Sequence, residues 1–248
     1  MKKLLILTIG LTLLVQATLV STASAQPKSF AQWCQQKSSV PAATRHTIDV
    51  LLKQAGTNNC QQADSKLRSL TKLDLSSNKI SDVKPLAELT NLTDLTLSSN
   101  KISDVKPLAR LTNLTLLFLG SNQISDVKPL AGLTNLKVLD LNTNQISDVK
   151  PLAGLTNLKV LDLESNQIRD IKPLAELTNL NQLNLNTNRI IGIKPLAGLT
   201  NLEEINLQSN QIRDIKPLSG LTNLVSLNLK SNPISAKVCP VEASVCKF

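Results

Sequence analysis

Catalysis needs groups that converge: a nucleophile beside a base, paired carboxylates, or metal ligands at short spacing. This sequence offers few. Asp140 and Asp162 lie 22 residues apart, with Glu164 two residues further on. If 22 residues is one structural step, the two aspartates stand side by side on neighbouring strands, as a pair for acid–base work would. No nucleophile accompanies them, and neither a lid nor a pocket is legible around them. The single histidine, His46, lies far away in the chain. Cys34, Cys60, Cys239 and Cys246 form no C-x-x-C pair, which with one histidine argues against zinc. The reading is a protein without catalytic residues, cofactor or metal.

The 22-residue step is real. Leu111 to Gly132 reads LTNLTLLFLGSNQISDVKPLAG, and near copies begin at Leu67, Leu89, Leu133, Leu155, Leu177, Leu199 and Leu221, the last breaking off after Ile234. A fixed period of this length means a solenoid. Positions 1, 4, 7, 9, 14, 17 and 20 are apolar; in the third copy these are Leu111, Leu114, Leu117, Leu119, Ile124, Val127 and Leu130. Leu117 and Leu119 alternate with variable neighbours, the period of a short half-buried strand. One such strand cannot bury its apolar side alone, but stacked copies, about 4.8 Å apart, can. Position 12 is asparagine in all eight copies, from Asn78 to Asn232. A buried amide must be satisfied, and a column of amides bonded to turn backbone does so. Pro129 after Lys128 suits the first residue of a short 3₁₀ turn, with Asp126 as the turn's cap.

The pattern L-x-x-L-x-L-x-x-N-x-I followed by D-[VI]-K-P-L-A resembles the leucine-rich repeat of the internalin-like class found in bacterial cell-surface proteins. The likeness runs from Leu67 to Ile234, about two-thirds of the chain. It implies an α/β solenoid, a leucine-rich repeat arc with a concave parallel β-sheet and convex 3₁₀ turns. It also implies function by binding, usually of a protein on the concave face. Internalins usually continue into an immunoglobulin-like domain and a wall anchor or wall-binding modules. This sequence ends ten residues after Val238, so host-cell invasion is not carried over.

The flanks complete the expected organisation. Residues 1–25 read as a secretory signal peptide: Lys2 and Lys3, an apolar run from Leu4 to Val20, then Ala23-Ser24-Ala25. The product is expected to be secreted or periplasmic, with no membrane-spanning segment after cleavage. Residues 26–66 read as an N-terminal cap with a helix from Pro41 to Ala55 stopped by Gly56; residues 67–238 hold the repeats; residues 239–248 form a C-terminal cap. Four cysteines in an exported chain suggest two disulfides, and three pairings exist. Cys34–Cys60 and Cys239–Cys246 are favoured because the ends of a stiff solenoid lie far apart. An open solenoid capped at both ends is expected to be a monomer.

The formal net charge of +9 becomes +7 once Lys2 and Lys3 leave. Seven lysines recur at position 18, from Lys84 to Lys216, beside six aspartates at position 16, and the two columns are expected to offset one another. An adhesin-like contact of this lysine row with anionic envelope polysaccharide is the alternative function. Export, no tyrosine and 2% aromatic residues argue against a nucleic-acid reader, which stacks bases on flat side chains. On the strands, positions 6 and 8 face the concave surface. Most are polar, but Leu116, Phe118, Val138 and Val160 make an apolar cluster beside Asp140, Asp162 and Glu164, with Glu204 further along. An apolar centre with an acidic rim is the form of a protein-binding hot spot. A partner with basic residues around an apolar knob is the expected fit.

Overall fold

The structure, a computed structural model, describes residues 28–248; the expected signal peptide lies outside them. Three helices form the N-terminal cap: α1 (Phe30–Gln35), α2 (Ala42–Ala55) and α3 (Cys60–Ser69). Eight strands of three residues follow, one per repeat: β1 (Lys72–Asp74), β2 (Asp94–Thr96), β3 (Leu116–Phe118), β4 (Val138–Asp140), β5 (Val160–Asp162), β6 (Gln182–Asn184), β7 (Glu204–Asn206) and β8 (Ser226–Asn228). A ninth, β9 (Cys246–Lys247), comes from the C-terminal cap. All are parallel and paired in chain order in one open sheet. The register advances by 22 residues per strand, Leu95 beside Leu117 and Leu117 beside Leu139, so equivalent positions of successive copies are neighbours.

The seven apolar positions of the third copy are all at most 1% exposed. Each fully buried leucine contributes about 1.5–3 kcal/mol before chain entropy is subtracted, and the ladder repeats this with every copy. A 3₁₀ turn opens each return segment, as at Lys84–Leu86 and Lys128–Gly132, with proline in its first two positions. The aspartate two residues before each lysine accepts that lysine's backbone N–H at 2.8–3.0 Å in six copies.

The asparagine column closes the inner turn. Asn166 donates to the carbonyls of Leu141, Leu163 and Glu164 at 3.0–3.1 Å and accepts the N–H of Ile146 at 3.0 Å. Each interior asparagine thus ties its own turn to the copy before it. The residue preceding it is left-handed in every copy, with φ between 50° and 59° on serine or threonine rather than glycine. A left-handed conformation costs an L-residue about 1–2 kcal/mol. Thr143, at φ 50° and exposed, is therefore a site where glycine relieves that cost but loosens the unfolded chain by about 0.4–1 kcal/mol, so a net gain of about 0.5 kcal/mol is expected, read as a shifted urea midpoint.

The N-terminal cap is held by polar contacts. Thr44 donates to the Asp82 carboxylate, Thr47 Oγ1 to the Asp82 carbonyl at 2.7 Å, and His46 Nε2 meets the Asn78 carbonyl at 2.6 Å. The lone histidine thus anchors the cap to the first repeat. Cys34 in α1 is bonded to Cys60 at the start of α3, and Cys239 to Cys246. Leu67, the expected first residue of the repeats, lies inside α3; it keeps its place in the core, fully buried, but the first copy enters its strand from a helix rather than from an L-T-N turn. No helix among the described residues is long and apolar enough to cross a membrane.

Candidate functional site

Strands of three residues alternate outward, inward, outward, so positions 6 and 8 stand on the open face around a buried position 7. The register lines up Leu116, Val138 and Val160 in one row and Phe118, Asp140 and Asp162 in the next. All six are half-buried. Glu164, two residues past Asp162, belongs to the same patch: its carboxylate receives amide bonds from Asn184 at 2.9 Å and Asn186 at 3.0 Å, and Asn184 also reaches Asp162 at 3.2 Å. Glu204 lies two strands beyond Val160, about 10 Å away, and is exposed. The first seven residues therefore form one surface, with Glu204 at its far side.

The electrostatics of the aspartate row differ from rung to rung. Burial pushes the carboxyls of Asp140 and Asp162 above the usual carboxylate value; hydrogen bonds from Asn142 and from Glu164 N–H oppose this, and the neighbouring acids add to it. Asp74, at the open end of the same row, is held below the usual value, chiefly by the Ser76 hydroxyl. No basic side chain among the described residues lies within 4 Å of Asp140, Asp162, Glu164 or Glu204. By contrast, Lys72 pairs with Asp94 at 2.9 Å. The patch therefore carries negative charge with no cation among the described residues paired to it.

The sign of the pH dependence follows. A carboxyl whose native pKa is raised weakens the fold when ionised, and the loss is relieved as pH falls through the raised value toward the unfolded one. Asn in place of Asp162 keeps an acceptor for the Glu164 N–H, now at 2.9 Å, gives up the 3.2 Å bond from Asn184, whose amide keeps its bond to Glu164, and removes the charge. Asp162→Asn is expected to raise stability at pH 7 by about 0.5 kcal/mol, a figure reduced for the exposed half of the side chain, with the gain gone below the ordinary carboxylate range. Urea unfolding at both ends of that range checks it; a loss of the same size at both would contradict it.

Beside the patch a groove of about 340 Å³ begins at Val160 and Asp162 and runs past Asn184 and Asn206 toward Lys247. Leu116 and Phe118 lie outside its lining. Gly120 leaves room there: a Cβ at this position would sit 2.8 Å from Asn142 Nδ2 and 2.9 Å from Asp140 Oδ2. The amide network of Asn142, Asn184 and Asn186 was not legible in the repeat pattern, since it depends on side chains reaching across strands. The only foretaste was the run of asparagines at position 8, Asn184, Asn206 and Asn228, with Asn142 and Asn186 at position 10. The lysine row is exposed, and its aspartates bond backbone N–H groups rather than ammonium groups; only Lys84 has its own aspartate, Asp82, within 4 Å, at 3.8 Å. Seven lysines thus stand beside six aspartates with one ion pair between the columns, Lys84 with Asp82.

The family model for leucine-rich repeats matches residues 68–110, 112–154, 156–199 and 200–238, and the chain belongs to the leucine-rich repeat family. Among solved structures it is similar to internalin C2 of Listeria monocytogenes, with 36% identity over 80% of this chain and 90% of that one and a TM-score of 0.73. Within the family it is therefore an internalin-like protein. Internalin F of the same species is 34% identical over 74% of this chain and 63% of that one, with a TM-score of 0.62. A leucine-rich repeat protein of Leptospira interrogans is 30% identical over 68% of this chain and 45% of that one, with a TM-score of 0.61. Among curated proteins the sequence has no match. No catalytic family is indicated, and proteins of this fold are typically non-enzymatic interaction scaffolds.

Proposed function

We propose that this protein is an exported, non-catalytic module that recognises a partner protein through the concave face of its sheet. The observation that carries this is the patch on β3 to β5. There apolar side chains stand where the later strands carry Gln182, Glu204 and Ser226, and unpaired carboxylates are held half-buried at a cost to the fold. Asparagine fills the same row on β6, β7 and β8, so the fold does not need acids there. Charge kept against stability is the mark of a surface shaped by binding. The partner presents a lysine or arginine next to an apolar side chain, which fills the space between Phe118 and Val160. The N-terminal signal-like segment and the two disulfides support an oxidising compartment outside the cytoplasm.

The experiment is affinity capture from envelope and secreted extract, with oxidised protein as bait at low and at high salt. An apolar contact survives high salt, whereas contact with an anionic polymer on the lysine row fades as the Debye length shrinks. A protein retained at high salt supports the strand face. Material released by salt from bait and from a strand-face variant alike would move the site to the lysine row and overturn the proposal.

A further inference from the structure

The eight copies act as controls for one another, and a second group of departures lies away from the strand face. Position 15 is serine in the first four copies, at Ser81, Ser103, Ser125 and Ser147. In the next three it is Arg169, Ile191 and Arg213. Position 16 is aspartate in every one of the first seven copies except the sixth, where it is Gly192. The backbone bonds Arg189 N–H to Ile168 and Gln211 N–H to Ile190, each 2.9 Å, keep these turns in step. The three changed residues at position 15 are therefore neighbours along the flank, between the asparagine column and the 3₁₀ turns.

All four departures, Arg169, Ile191, Gly192 and Arg213, are exposed and outside the core. Ile191 is 61% exposed, between the buried Ile190 and Ile193 that hold the core. Gly192 is not there for conformation: its φ is not left-handed, and a Cβ would meet nothing within 4 Å. Its presence removes the carboxylate that caps the lysine N–H in the six other copies. Arg169, Arg189 and Arg213 are exposed, and among the described residues none has a carboxylate within 4 Å. The flank continues into a cleft of about 710 Å³ between the seventh turn and the C-terminal cap, lined by Arg213, Asp214, Lys216, Ser235, Val238 and Pro240, with Val238 74% exposed; the Asp214 carboxylate there accepts the Lys216 N–H at 3.0 Å.

We propose that this flank is a second docking surface, distinct from the strand face, and that it takes an acidic peptide segment carrying an apolar side chain. Arginine's planar fork binds carboxylate in a two-point contact, and loss of the carboxylate at Gly192 removes the one group in the middle that would repel it. Arg169 and Arg213 are two rungs apart, about 10 Å, which three residues of extended peptide span. Ile191 lies between them and Val238 at the cleft, so an apolar side chain between two acids has a contact. An anionic polysaccharide could use the arginines but has nothing for Ile191 and Val238.

The test measures fluorescence anisotropy of a labelled peptide in which leucine is flanked by glutamates, with a glutamine-for-glutamate analogue as control. The variant is Arg169→Ser/Ile191→Ser/Gly192→Asp/Arg213→Ser, which writes positions 15 and 16 of the first four copies into the later three. Because each residue is borrowed from the same fold, and Gly192→Asp restores a cap, its melting temperature is expected to equal or exceed that of the parent. Peptide affinity is expected to fall about tenfold or more for this variant and for the glutamine peptide, and to be unchanged when the strand-face residues Leu116 and Phe118 are replaced. Equal affinity for parent and variant would overturn the proposal. So would binding of dextran sulfate or phosphatidylglycerol vesicles by this flank without binding of the peptide.

Discussion

Asn166→Ala is expected to lower stability by about 3 kcal/mol, whereas Asn78→Ala is expected to lower it by less than about 1 kcal/mol. The residue type and the position in the repeat are the same; the number of bonds is not, and Lys79 after Asn78 adds a second left-handed residue to the first turn. Asn166 makes four, two of them to the preceding copy, and is 8% exposed. Asn78 has no preceding copy and makes one, to the Ser76 carbonyl at 2.8 Å. Alanine at 166 leaves the buried Ile146 N–H without its acceptor, which adds a desolvation penalty to the lost bonds. Since each copy touches only its neighbours, the damage falls on the junction between β4 and β5. Urea unfolding of both variants checks this, and equal losses at the two sites would show that the column does not act as a tie between copies.

The second large effect concerns binding. Leu116→Gln/Phe118→Asn gives β3 the outward residues of β6, Gln182 and Asn184, so the change is from one working strand to another. Stability is expected to change little, because both side chains are half-buried on the open face and the inward Leu117 is untouched. Affinity for the strand-face partner is expected to fall at least about a hundredfold, the loss of two anchors at the centre of a hot spot. Titration calorimetry with the captured partner reads it. A loss below about threefold would place the hot spot elsewhere.

The solenoid was legible because a weak local signal, repeated eight times, becomes a strong one. Leu117 alone could be strand or helix; Leu73, Leu95, Leu117 and Leu139 at one spacing leave only the stack. The asparagine column and the aspartate caps followed from the same repetition. Single-copy features were harder. Helix α1 has a full capping box, Ser29 with Gln32, and α3 has Asn59 as N-cap, yet both signals stood in a segment with no periodicity to support them. Strand β9 is two residues long and owes its place to the Cys239–Cys246 ring as much as to its own residues. The members of the strand-face patch could be read from register alone. The burial of Asp140 and Asp162 and the amide bridges to Glu164 could not, since side-chain reach across strands is not written in the period.

The claim that the strand face is the binding face is tested most directly by photocrosslinking. A benzophenone amino acid in place of Phe118 keeps an aromatic group at the centre of the patch; the same group in place of Lys128 reports on the 3₁₀ side. Irradiation in envelope and secreted extract is expected to attach one protein species through position 118 and none through position 128. Attachment through 128 with none through 118 would contradict the account.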